Sequence, residues 1–196
     1  MFLNKTLLTL CSLLYCISNS IAIAEHDVLL EVKGAAFIPT SEIFKDIYGV
    51  CGDFGAELTV GNLTHNLYAF GSIDFLVKHG NTIELSNPTK MTIVNFALGL
   101  KYFAPFKYGD FYIGLGVQPV HLTTLDQISA DSFALESQWS CGGVTKIGAI
   151  FDLSHSLFID LFFDYSFVKF NNFGDDAGKT PINAGLLGAG FGYRFN

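Results

Sequence analysis

Nine charged residues stand inside otherwise apolar runs, on the positions that alternate with the apolar ones: Glu31 and Lys33, Glu57, Asp74, Lys101, Lys146, Asp160 and Asp164, and Arg194. Carboxylates and ammonium groups confined to one face of a strand can pair with one another away from water. Five acids against four bases is nearly balanced. That favours a salt-bridged plug over a selective conduit, although Gly114, Gly116, Gly188, Gly190 and Gly192, on the same faces, could leave room for a solute.

Other reactive side chains are scattered. His26, His65, His79, His121 and His155 have neither the i,i+4 spacing nor the cysteine company of a metal site. No metal or other cofactor is therefore expected, and surface histidine is the simpler reading. His79 and His121 fall in expected outer loops, with Ser86 and Ser129 close to one each. A lipid-modifying enzyme would need such a pair within hydrogen-bond reach and a third group to orient it, and no catalytic residue is assigned. Gly188-x-Gly190-x-Gly192 lacks the spacing and following helix of a dinucleotide fingerprint. Asn62-Leu63-Thr64 is a glycosylation sequon by chance, and Asp175 and Asp176 read as a solvated acidic loop.

The elements that must position the charges read as strands. Eight segments alternate with a period of two: Val28–Ala36, Asp53–Gly61, Leu67–Leu76, Thr92–Ala104, Phe111–Gln118, Trp139–Phe151, Leu157–Val168 and Leu187–Asn196. Their apolar faces hold no charge. The last puts Leu187, Ala189, Phe191, Tyr193 and Phe195 against three glycines and Arg194. In the third segment Tyr68 and Phe70 share the polar face with Ser72 and Asp74. A water-soluble barrel reverses this polarity, whereas a barrel facing lipid requires it. The connections alternate too. Asn62–Asn66, Pro105–Asp110 and Asp152–Ser156 are short; Phe37–Gly52, Val77–Met91, Pro119–Gln138 and Lys169–Ile182 are long, as periplasmic turns and extracellular loops would be. Tyr102, Phe106, Tyr108, Phe111, Tyr193 and Phe195 gather at one rim; Trp139, Tyr165 and Phe167 lie toward the other. The predicted fold is all-β, a closed eight-stranded antiparallel up-and-down transmembrane barrel.

Residues 1–24 read as a cleavable signal peptide: Lys5, an apolar run from Leu7 to Ile17, then Ala22-Ile23-Ala24. The barrel domain would span residues 25–196. The formal charge is −7, and losing Lys5 with the leader makes it one unit more negative. That gives no electrostatic footprint for nucleic acid. Cys51 and Cys141 would remain after export, which permits a disulfide without establishing one.

The chain resembles the small outer-membrane barrels typified by the OmpA membrane domain, OmpX, OmpW and the opacity-type surface proteins. Gly190-Phe191-Gly192-Tyr193-Arg194-Phe195 is similar to their C-terminal insertion signal, with Gly190, Tyr193 and Phe195 as its marks, although Asn196 follows the final aromatic. Gly34-Ala35-Ala36-Phe37-Ile38-Pro39 followed by Phe44-Lys45-Asp46-Ile47-Tyr48-Gly49 is similar to an opacity-type first strand and loop. Ser41 could cap a short helix there. The resemblance implies location in an outer membrane, with lipid and the barrel-assembly machinery as partners. It also implies a structural or surface-interaction role, with four extracellular loops meeting a host or cell-surface ligand. The alternative is a porin-like channel for small or hydrophobic solutes, and a lipid-modifying enzyme ranks behind both.

Overall fold

The computed structural model describes residues 27–64, 66–81, 88–129, 132–171 and 179–195. The signal-peptide reading, Asn196, His26, His65, Ser86, Asp175 and Asp176 lie outside them. The elements are β1 (Val28–Pro39), α1 (Glu42–Tyr48), β2 (Cys51–Thr64), β3 (Leu67–Asn81), β4 (Pro88–Phe106) and β5 (Gly109–Ser129). They continue with β6 (Ser132–Asp152), β7 (Leu157–Phe167), β8 (Lys169–Asn171), β9 (Lys179–Pro181) and β10 (Ala184–Phe195). Eight strands close an antiparallel barrel in the order β1-β10-β7-β6-β5-β4-β3-β2, so every barrel strand pairs on both sides. Closure comes from β1 against β10, in unbroken register from Val28↔Phe195 to Pro39↔Ala184. Both ends of the barrel chain therefore lie at one mouth, the terminal end. No helix among the described residues is long and apolar enough to cross a membrane.

The alternation in the sequence becomes the two faces of the wall. Phe54, Leu98 and Leu115 are 70%, 64% and 65% exposed, and Val32, Ile113, Leu161 and Phe191 also stand outward. Val28 departs from this pattern: it has outward parity but is buried. The third segment keeps the register read for it, with Phe70 packed inward against Ala97 and Val144.

The strands run further than their apolar alternation. Pro119–Gln138, expected as a long loop, is mostly the continued β5–β6 ladder, paired from Pro119↔Cys141 to Gln127↔Phe133. Threonine, serine and glutamine masked the alternation there while keeping it. Val77–Met91 is shortened in the same way, since β3 and β4 pair as far as Asn81↔Pro88. Lys169–Ile182 contains the β8–β9 ribbon, and Phe37–Gly52 carries α1. Ser41 occupies the N-cap position of α1 but makes no side-chain cap bond. Its carbonyl accepts from Lys45 N–H at 2.9 Å instead. Gly49 ends the helix at φ 59°, where a residue without Cβ is favoured.

Cys51 and Cys141 are both free. Cys51 is buried in β2 and Cys141 is exposed on β6, four strands away around the barrel. The wall itself keeps the thiols apart.

Gly99 shows how closely the wall is fitted. A Cβ there would run into the carbonyl of Leu115, the Cα of Gly116 and the Phe70 ring. Two of those obstacles are backbone, which cannot rotate away. Gly99→Ala should lower folded stability by about 1–3 kcal/mol, the usual range for overpacking. The measurement is the urea midpoint of the band that migrates differently when unheated.

Candidate functional site: the barrel lumen

The lumen is filled in three storeys. At the loop end, Phe37, Leu76, Met91 and Leu122 from the wall meet Phe44 and Tyr48 of α1, with Phe170 and Ile182 from the ribbon region joining them. Tyr48 and Thr89 share a hydroxyl–hydroxyl hydrogen bond of 3.0 Å, and Thr40 N–H donates to Asn183 O at 2.9 Å. The helix thus closes the mouth from inside. At the terminal end, Leu29, Phe103, Tyr112, Ile150 and Phe158 make a second apolar layer.

Between these layers lies a belt of charge. Lys33 Nζ is 3.4 Å from Glu57 Oε2, 3.3 Å from Asp74 Oδ1 and 3.7 Å from Asp164 Oδ2. Lys146 Nζ is 3.2 Å from Glu57 Oε2 and also pairs with Asp164. Lys101 donates to the other oxygen of Glu57. Gly114 pairs with both Lys101 and Lys146 across the sheet, so the two lysine stems rise on either side of a residue with no side chain. Their ammonium groups also rest on aromatic faces. Lys101 lies 4.0 Å from the Tyr112 ring centroid and Lys146 5.3 Å from that of Phe70, a favourable contact when desolvated. Tyr112 donates its hydroxyl to Asp160 Oδ2 at 2.7 Å.

Eight of the nine charged residues picked out by alternation occupy this belt: Glu31, Lys33, Glu57, Asp74, Lys101, Lys146, Asp160 and Asp164. Arg194 does not join them. It sits at the terminal mouth with its side chain 24% exposed, donating to Asp110 Oδ2 at 3.0 Å and lying 3.5 Å from Asp152 Oδ1. Asp53, absent from the nine, is buried in the belt. Its parity matches that of Glu57, and that was its only signal. The near balance of charge is therefore corrected, for the buried belt holds six acids and three bases. Of the insertion-signal residues, Tyr193 and Phe195 face outward and stack edge to face at 4.7 Å. Gly190 lies on the inner face, beneath the Glu31 carboxylate.

Among the described residues the histidines do not converge. His121 stands on β5, not in a loop, and shares a 2.8 Å hydrogen bond with Ser137 Oγ; its ring lies 4.6 Å from that of Trp139. The neighbouring serine is thus Ser137 and not Ser129. Among the described residues no carboxylate bonds to the ring, so the orienting third member of a nucleophilic triad is lacking. No group of three or more His, Cys, Asp or Glu with metal-site geometry occurs among them either.

The closed eight-stranded architecture is known. OprG from Pseudomonas aeruginosa superposes with a TM-score of 0.62 at 17% identity, covering 87% of this chain and 96% of its own. Ail of Yersinia pestis, solved in complex with the heparin analogue sucrose octasulfate, gives 0.58 at 15%, covering 88% and 100%. A major outer membrane protein from Thermus thermophilus gives 0.57 at 14%, covering 86% and 99%. The fold is that of the small outer-membrane eight-stranded barrels. No protein-family model matches the chain, and no curated protein does.

Removing one partner from a buried ion pair strands the other. Lys146→Met should cost about 3–5 kcal/mol, because Glu57 and Asp164 each lose an ammonium. Arg194→Met should cost less, since water reaches its side chain. Paired urea titrations of the refolded variants check the order.

Proposed function

We propose that this chain is an outer-membrane barrel with a structural or surface-interaction role: a plugged, salt-bridged scaffold that presents its loop end outside the cell. The observation that carries the reading is occlusion. Apolar layers close the lumen at both ends, and lysine–carboxylate contacts fill the middle. An eight-strand barrel is about wide enough for its own side chains to fill it. A solute path would require dismantling that packing.

Residues 1–24 are a leader that directs export, and the barrel is residues 25–196. Tyr193 and Phe195 supply the aromatic end read by the barrel-assembly machinery. Outer-membrane lipid covers the apolar belt, with the Phe106–Phe111 and Tyr193–Phe195 ring pairs at the inner interface and Trp139 and Tyr165–Phe167 toward the outer one. The ligands sought are host or cell-surface molecules that meet α1 and the tips of the β3–β4, β5–β6 and β7–β10 connections. A rigid wall that carries connecting segments at one end suits that task. No enzymatic activity is assigned.

Planar bilayers test the occlusion directly. The refolded protein should give no stepwise current, and regular conductance steps in most insertions would defeat the plug reading. Heparin-coated surfaces then provide a defined probe of the loop end, chosen because the Ail structure holds a heparin analogue. Saturable retention that is lost when the β5–β6 tip is shortened would support surface interaction.

The belt carries a separate prediction. Leu98→Arg places a cation on an outward position at the middle of β4 and should cost about 2–4 kcal/mol in a bilayer. Refolding yield and urea midpoint in lipid vesicles measure it, with Leu98→Ala as the comparison.

A further inference from the structure

Lysines and carboxylates do not match in the lumen. Lys33, Lys101 and Lys146 engage Glu57, Asp74 and Asp164, and that accounts for every buried base of the belt among the described residues. Glu31, Asp53 and Asp160 have no ion pair there, although they are 4%, 2% and 1% exposed. Glu31 Oε1, Asp53 Oδ2 and Asp160 Oδ1 find no hydrogen-bond partner among the described residues. The Tyr112 hydroxyl reaches only the other oxygen of Asp160, Oδ2. A buried carboxylate without compensation is among the least tolerable groups in a protein interior.

Two of the three come together. Glu31 on β1 leans across β10 at Gly190, where even a methyl group would collide with its carboxylate. Gly190 pairs on its far side with Asp160 of β7. The Glu31 carboxylate thus lies over the backbone neighbour of Asp160, a residue that offers no side chain to separate the two. Asp160 is the strongest like charge acting on Glu31. Charged or titratable groups also face the pair from β1 (Lys33), β2 (Glu57), β4 (Lys101), β5 (Tyr112) and β7 (Asp164). Of these cations, Lys101 bonds to Glu57 and Lys33 spans Glu57, Asp74 and Asp164.

We propose that Glu31 and Asp160 form an interior site for one hard cation: a proton shared between the two carboxylates, or an oxygen-seeking metal ion bridging them. Both sources supply the same chemistry, a compact positive charge accepted by Glu31 Oε1 and Asp160 Oδ1, which have no hydrogen-bond partner among the described residues. The cation is taken up as the barrel closes, since the apolar layers then shut off both ends. The site needs only the barrel interior, so it is independent of whatever the loop end contacts.

Infrared spectra of the folded wild type in light and heavy water, after refolding in chelator, test the proton. A shared proton gives a carboxylic C=O band that shifts on deuteration and loses intensity in both Glu31→Gln and Asp160→Asn. Refolding with terbium tests the metal. The ion would sit beside Tyr112, whose excitation should sensitise its emission at one ion per barrel, and both substitutions should abolish the signal. Either result supports the site and names its occupant. The proposal is overturned if the wild type shows neither signal, or if the signal it shows is unchanged in both variants. The wild-type spectra decide even where a variant fails to fold, and unheated gel mobility identifies those that do fold.

Discussion

Glu57 meets all three lumen lysines, one oxygen facing Lys101 and the other Lys33 and Lys146. The rest of the interior is arranged around that meeting. An ammonium group leaves water at a large penalty, and attraction at low dielectric offsets it only where the geometry is good. Three ammonium groups around one carboxylate would repel one another. The aromatic faces of Phe162, Phe70 and Tyr112 under the three amines, together with Asp74 and Asp164 at the sides, spread the charge. The belt is thus a lattice, so losing one member exposes several others.

A lattice of this kind requires a wall that brings long side chains to one level, and the register does so. Glu31 opposes Glu57 across β1–β2, while Lys101, Gly114 and Lys146 follow one another across β4–β5–β6. Glycine supplies the space into which the long chains lean, at position 114 for the two lysines and at 190 for Glu31. A sandwich core would fill such positions with apolar volume. Here the volume comes from the neighbour's stem.

The outer wall obeys the opposite rule. Its exposed Phe, Leu, Ile and Val would be a liability in water, since contiguous exposed apolar surface of that extent promotes association. In lipid the same surface needs no cover, and closure removes the sheet edge that lipid would not tolerate. Charged interior and greasy exterior are therefore one requirement seen from two sides. The apolar layers at the two mouths complete it by keeping bulk water from competing for the ion pairs.

Within the eight apolar-alternating segments the outward and inward faces were legible in sequence, Val28 excepted, because side chains on a strand alternate and lipid tolerates no charge on its side of the wall. Eight belt charges were legible for the same reason. The ends of the strands were not: beyond Pro119 the ladder continues through Thr, Gln and Ser, which carry no hydropathy contrast. Charge balance was also out of reach. Parity assigns Arg194 and Lys101 to the same face, yet only the register places Arg194 at a mouth beside Asp110 and Lys101 at mid-height beside Glu57. Parity permits Asp53 to join the belt; its depth is decided by the pairing of β1 with β2. Alternation is a local property of one strand and can be read along the chain, whereas height in a barrel is set jointly by the stagger of its neighbours. What the sequence determined by itself was which side of the wall the residues of the apolar-alternating segments face, Val28 excepted. Only the folded barrel decided which residues meet.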